Sequence, residues 1–491
     1  MNNSMGFVLA AFLLCLLVFR RVTLTLTRNK IVWYQDPVML FTGAWLIQSV
    51  TYALPIFENR EDLEARHVLY ILLCHLAFFV GVLLVPRAQA KRNPAEAAAQ
   101  ITFPMLAAIG LAGLLGNFAI TYDGLHASPV SLMDRFTSDG IELIRRERFN
   151  ITSIKTLGPF ISLEFLAAAT TIFVCMMTAG VAQQLDLKRW QRRALIGATV
   201  VSFLFVIFNA LVIYGGRIGV AMLLLGTVLG ALMDPKRALF RFIDRSLGRA
   251  KGGVYTLLLA GALGAIWFFA TAFVKDRIGE TPPLAALYQY HRASPTPLVE
   301  EVIGNNESLQ YALLSFSYVT VPLTTLTYYY DMPNGQFPGP YWGQYNFSTP
   351  VTFAMRRMGM VREQMPLQDI RNEATRYLRV MEYGDNVWPT LLRDIALDVG
   401  WTGVPVIMLL LGWGAELIMR SARKGDGNFI VKVLALLTSV LLVFSIAHSL
   451  FVLDSFQKAY WFCFALLIYH RIMASWKSPF SKADERLSPT P

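Results

Sequence analysis

Apolar runs of about 20 residues recur along the chain with short polar segments between them, and a bilayer core of about 30 Å needs about 20 apolar residues per helix. Roughly eleven such stretches begin near Met5, Pro37, His67, Ile101, Pro159, Ala194, Ile218, Val254, Gly400, Ile430 and Ala459. The first and last are short, so about ten to twelve spans are expected. The pattern predicts an all-α, polytopic integral membrane protein. Residues 1–274 hold eight helices and a smaller outer loop at 122–157. Residues 275–399 form one large outer loop, 400–475 hold three more helices, and 476–491 are a tail.

The connecting segments orient these helices. "RRVTLTLTRNK", "RAQAKR", "LKRWQRR", "PKRALFRFIDRSLGRAK" and "RSARKG" alternate with segments poorer in Lys, so their side is read as cytoplasmic. The first stretch, "MGFVLAAFLLCLLVF", follows an uncharged start and precedes Arg20 and Arg21. That order predicts a span with its amino end outside rather than a cleavable signal.

The 275–399 excursion is too long for a simple connection. "STPVTFAMRRMGMVREQ" and "LQDIRNEATRYLRVMEYG" carry helix-compatible spacing, with Leu367, Ile370, Ala374, Leu378 and Met381 forming an apolar stripe. From 281 to 344 the Pro, Gly and Tyr content predicts irregular structure on the membrane surface. The aromatic run "LTTLTYYYDMPNGQFPGPYWGQY" reads as an interface belt or, alternatively, as a sugar-stacking platform.

Composition agrees with the pattern: of 491 residues, 55% are hydrophobic and 16% charged. The net charge of +11 sits mostly in the short basic runs between spans, which speaks against nucleic acid as a partner and for the bilayer. The four cysteines, Cys15, Cys74, Cys175 and Cys463, lie in apolar segments without metal-ligand spacing. No metal site and no cofactor is expected.

Candidate chemistry concentrates on the outer side. After Lys275 the excursion uses only arginine as its cation: Arg277, Arg292, Arg356, Arg357, Arg362, Arg371, Arg376, Arg379 and Arg393. Guanidinium forks suit phosphate oxygens better than ammonium groups do. The bland alternative is pairing with the loop's own carboxylates. Arg376 and Arg379 share a helix face, with Arg371 close by. In "YGGRIGV", Arg217 marks a tight outer turn, and snorkelling to headgroups is its alternative reading. Lys275 and Arg277 mark the outer end of a span, as do His448 and Asp454. Midspan polar residues are few: His75, Asn117, Glu164, Asn209 and Glu416.

"VIYGGRIGV", "KDRIG" and "NVWPTLLRDIALDVGWTGVPVIMLLLG" together resemble the Wzy-type oligosaccharide repeat-unit polymerases of O-antigen and exopolysaccharide synthesis. The last stretch is similar to that family's N-x-aromatic-T element followed by a D-x-G-x-x-G span, and it departs by the insertion of Pro389 before Thr390. The resemblance implies a metal-independent, inverting, GT-C-like glycosyltransferase in the bacterial inner membrane, facing the periplasm. Its substrates would be undecaprenyl-diphosphate-linked oligosaccharides, and a chain-length regulator and a flippase of the same pathway would be its partners. Arg217, Lys275, Arg277, Arg371, Arg376, Arg379, Asn386 and Arg393 would hold the lipid diphosphate. The acceptor hydroxyl needs a proton acceptor within hydrogen-bond reach, for which Asp385, Asp394 and His448 are unranked candidates. Asp398 is expected to cap the helix that follows it. An O-antigen ligase, sharing the donor lipid, is the nearest alternative, and a polysaccharide or lipid transporter the more distant one.

Overall fold

The computed structural model describes residues 4–27, 31–59, 62–86, 102–127, 133, 163, 165–178, 185, 187–209, 218–233, 281–333, 336–347, 390–423, 429–447, 449–452 and 456–469. The described residues are mostly helical. The chain builds α1 (Ser4–Leu26), α2 (Pro37–Ala53), strand β1 (Phe57–Asn59), α3 (Ala65–Leu84), α4 (Phe103–Ala127), α5 (Ala168–Thr178), α6 (Arg189–Phe208) and α7 (Ile218–Met233). After these come α8 (Pro283–His291), strand β2 (Ala293–Pro295), α9 (Pro297–Ile303), α10 (Glu307–Tyr330), α11 (Leu391–Arg423) and α12 (Phe429–Phe444). Residues 456–469 add a further helix.

Five helices among the described residues are long and apolar enough to cross a membrane: α1, α3, α4, α6 and α11. α5 and α12 are apolar but shorter. Outward-facing residues of these helices, such as Phe12, Leu69, Leu83, Leu204 and Val406, are apolar and exposed. An exposed belt of this kind is what a bilayer covers. The expected span near Val254 lies outside the described residues, as do the two helices expected within 348–384 and the tail at 476–491.

Local chemistry sets the helix starts. Asp36 caps α2 by accepting from the amides of Val38 and Met39, with Pro37 in the first turn. At α3, Glu64 and His67 form a reciprocal capping box. Two polar rims then close the bundle. On the rim read as cytoplasmic, Arg20 pairs with Asp36 at 2.7 Å. Glu416 there takes Arg420 at 3.0 Å and Arg423 at 2.6 Å. The charge of Glu416, which is costly in a span, is thereby paired. Its two arginines also donate to the carbonyls of Val85, Pro86 and Gln35, tying α11 to the end of α3 and the start of α2. On the opposite rim, Trp45 donates to Ser445 and Gln48 to the carbonyls of Val319 and Ile446.

α3 and α11 cross so closely that a Cβ on Gly81 would stand 2.0 Å from the Leu409 carbonyl oxygen, and one on Gly412 2.1 Å from that of Phe78. Small residues at a crossing bring backbones into contact where hydrophobic driving force between spans is absent. α12 is buried along most of its length. Asn117, Asn209, Thr121 and Thr170 form a hydrogen-bonded group between α4, α5 and α6, which satisfies two of the midspan polar residues.

The segment expected to be irregular is instead ordered. It forms α8, α9 and the long α10, and β2 pairs antiparallel with β1, Phe57 opposite Pro295. Its Val, Thr and Tyr content disfavours helix locally. Burial of Tyr311, Leu314, Val321, Leu323, Leu326 and Tyr329 overrides that preference. Threonines 320, 324, 325 and 327 return their hydroxyls to carbonyls three or four residues earlier, so no buried hydroxyl is stranded.

Candidate functional site

α11 is a helix in two pieces. Gly400 breaks it with φ 71° and ψ 164°, a conformation essentially confined to glycine. The 391–399 piece lies at the outer rim and the 401–423 piece carries the apolar span. Such a break frees the last carbonyls of the first piece. The 337–347 segment satisfies them: Tyr341 donates to the Leu397 carbonyl at 2.8 Å, Trp342 to that of Asp398 at 2.9 Å, and Asn346 to that of Asp394 at 2.6 Å. This strap therefore lies against the first piece of α11.

Asp398 anchors the strap rather than capping the helix after it. Its Oδ1 accepts from the Tyr345 amide at 2.9 Å, and its Oδ2 from the Asn346 amide and side chain, both at 2.8 Å. The Gly343 amide also bonds to it. The cap of α11 is Thr390, whose hydroxyl accepts from the Arg393 amide at 3.4 Å. The carboxylate lies in the last turn before the break, where the amides of the strap reach it.

The strap and α10 enclose Arg393, which is 1% exposed. Its guanidinium carbon stands 4.8 Å from the Tyr329 ring centroid and 5.9 Å from that of Tyr345, close enough for cation–π attraction. It also hydrogen-bonds the Tyr345 phenol. Asp394 Oδ1 lies 3.6 Å from Nη1, while Asp394 Oδ2 accepts from the Ser449 amide at 2.8 Å. Among the described residues, Nε and Nη1 of Arg393 make no hydrogen bond, and neither do the buried Asn346 Oδ1 and Ser449 Oγ. Buried donors without acceptors are rare and costly. The buried guanidinium thus lies beside the Asp394 carboxylate and keeps two N–H groups without a hydrogen-bond acceptor among the described residues, and guanidinium N–H groups are the donors that suit an oxyanion.

A second polar group gathers at Asp331. His67 Nδ1 accepts from the Glu64 amide, so its Nε2 carries the proton and donates to Asp331 at 2.8 Å. Arg66 reaches the other Asp331 oxygen at 3.0 Å. Tyr70, Tyr330 and Phe337 surround Trp401 with ring centroids 5.3–5.6 Å away. Among the described residues, no three His, Cys, Asp or Glu side chains gather as metal ligands would.

Of the residues singled out from sequence, the structure brings Arg393 and Asp394 together. Arg217, Lys275, Arg277, Arg371, Arg376, Arg379, Asp385, Asn386 and His448 lie outside the described residues. Tyr329, Tyr345, Asn346 and Asp331 were not singled out. Their signal was present in the aromatic run, but Tyr329 and Tyr345 turn inward onto Arg393 instead of forming a belt. Among the aromatic residues of that run, Trp342 alone presents its side chain broadly, at 74% exposure.

Comparison of the chain with protein families, with curated proteins and with solved structures finds no match.

Proposed function

We propose that this chain is a membrane glycosyltransferase that joins oligosaccharide repeat units carried on undecaprenyl diphosphate, at the periplasmic face of the bacterial inner membrane. The observation that carries the reading is Arg393, a buried cation paired with Asp394 beside a broken span, whose Nε and Nη1 make no hydrogen bond among the described residues. It lies in the stretch that resembles the Wzy-type polymerases. In the proposed step, the acceptor hydroxyl oxygen attacks the anomeric carbon of the donor glycan. The bond from that carbon to the diphosphate oxygen breaks, and the lipid diphosphate leaves with the electron pair. Fixed cations placed where that negative charge develops lower the barrier, and do so more strongly out of water. Arg393 supplies one, and Arg217, Lys275, Arg277, Arg371, Arg376 and Arg379 are proposed to supply others, with Asn386 as a further contact. The hydroxyl proton passes to a base drawn from Asp385, Asp394 and His448. Asp394 already accepts from Ser449 and faces Arg393, so as a base it would act from a fixed position.

The reading is tested by deleting the gene and complementing it. Loss of long surface glycan with single repeat units retained, restored by the unchanged chain and not by Arg217→Ala or Arg376→Ala, is the expected result. Long undecaprenyl-linked chains that never reach the lipid A core would instead indicate a ligase. Purified chain that converts no lipid-linked repeat units to longer products would overturn the glycosyltransferase reading.

A further inference from the structure

The Asp398 carboxylate is 2% exposed and accepts from the Gly343, Tyr345 and Asn346 amides and from the Asn346 side chain. A buried carboxylate holding that many donors is fully engaged and has no lone pair placed for chemistry of its own. What it holds is the strap, and the strap puts the Tyr345 ring and phenol on Arg393. The strap is also under backbone tension. Trp342 sits at φ 53°, between Gly339 at φ 96° and Gly343 at φ 86°. A left-handed Trp is unfavourable and persists only where its surroundings over-determine it. Here the Asp398 carboxylate and the Leu397 and Asp398 carbonyls are those surroundings.

Resting on the function proposed above, we propose that Asp398 is the positioning residue of the anion site. By clamping the 337–347 strap it holds Tyr345 against Arg393 and so fixes the direction of the two open N–H donors toward a phosphate group. Asn346 is the second half of the clamp, because its amide side chain joins Asp398 Oδ2 to the Asp394 carbonyl. A phosphate reaches this enclosed guanidinium only as the enclosing side chains part, and Tyr345 is one of them. The clamp therefore governs how well the donors are presented once the ligand is in place.

The test measures binding of inorganic pyrophosphate, as a stand-in for the lipid diphosphate, to the purified full-length chain in detergent micelles. Each variant is assayed well below its own melting temperature. Arg393→Gln is expected to abolish binding. Asp398→Asn, which turns an amide N–H₂ toward amide donors, is expected to weaken it about 10- to 100-fold, the range seen when orienting partners of preorganised metal sites are removed. Asn346→Ala leaves the backbone bonds in place and is expected to weaken it less, and it decides the matter if Asp398→Asn does not fold. A merely structural role lowers the melting temperature and leaves the affinity of the folded protein unchanged. If the folded clamp variants bind pyrophosphate as the unchanged chain does while Arg393→Gln does not, the clamp proposal is overturned and the anion site stands. If the unchanged chain fails to bind, or Arg393→Gln binds equally well, the anion site itself is overturned.

Discussion

Asp36 is a fully buried carboxylate whose four contacts divide between two tasks. One oxygen takes Nε and Nη2 of Arg20, and the other caps α2 through the amides of Val38 and Met39. Truncating one member of a buried pair strands its partner's charge, at a cost of about 3–5 kcal/mol, and loss of a cap adds about 1 kcal/mol. Asp36→Ala is therefore expected to reduce stability by about 4 kcal/mol or more, read as a lower unfolding midpoint when the purified protein is titrated with denaturant in detergent. Arg66 offers the contrast. Its ion pairs with Glu64 and Asp331 have comparable lengths near 3.0 Å, but its side chain is 56% exposed. Water screens such pairs, so Arg66→Ala is expected to shift stability by less than about 1 kcal/mol. Equal shifts for both variants would contradict the assignment of Asp36 to a dry rim.

Between elements, two glycines two residues apart in α11 have opposite roles. A Cβ at Gly412 meets the Phe78 carbonyl oxygen at 2.1 Å, whereas one at Gly414 meets nothing within 4 Å. Gly412→Ala is expected to force α3 and α11 apart at a cost of about 1–3 kcal/mol. Gly414→Ala should be neutral or should stabilise by about 0.5–1 kcal/mol, since Ala loses less backbone freedom in a helix. Gly400→Ala has open space at its Cβ but is strained by φ 71°, so it is expected to destabilise by about 1–3 kcal/mol without any clash. Thermal melts of the three variants separate contact from conformation. The starts of α1, α2, α3, α4, α7 and α12 fell within two residues of those expected, because an apolar run marks such a helix, whereas α6 began five residues earlier, at Arg189, in a basic segment. α10 was not legible in the sequence, because its Val, Thr and Tyr content reads locally as non-helical and burial against α8, α2 and α11 turns it into a helix. The break at Gly400 was legible as the mouth of a span. The environment of Arg393 was not, because Tyr329 and Tyr345 reach it from segments far away in the chain, and no local spacing encodes that meeting. Asp398 was misread for a related reason. A helix cap is a local rule, and the partners it chose lie on a distant strap.

For the whole molecule, the two polar rims differ in chemistry, and that difference gives a testable expectation for which side of the membrane the proposed anion site faces. Arg20, Arg21, Arg420 and Arg423 crowd one rim, with Asp36 and Glu416 neutralising only part of their charge. The other rim carries Arg393 shielded beneath the strap, and Asp331 drawing Arg66 and His67 onto itself. On the proposed orientation, the rim richer in arginine among the described residues is the cytoplasmic one, since moving such segments across the bilayer is disfavoured. On that orientation the strap and its exposed Trp342 would face the periplasm, the side the proposed function requires. Single cysteines test this directly in a chain whose Cys15 has been changed to Ser. Trp342→Cys is expected to react with a membrane-impermeant maleimide on intact spheroplasts. Thr27→Cys, exposed just after α1 on the arginine-rich rim, is expected to react only after the membrane is permeabilised. The reverse pattern would place Arg393 at the cytoplasmic face, where a periplasmic polymerase has no substrate, and would remove the proposed function while leaving the rims, the crossing and the strap as described.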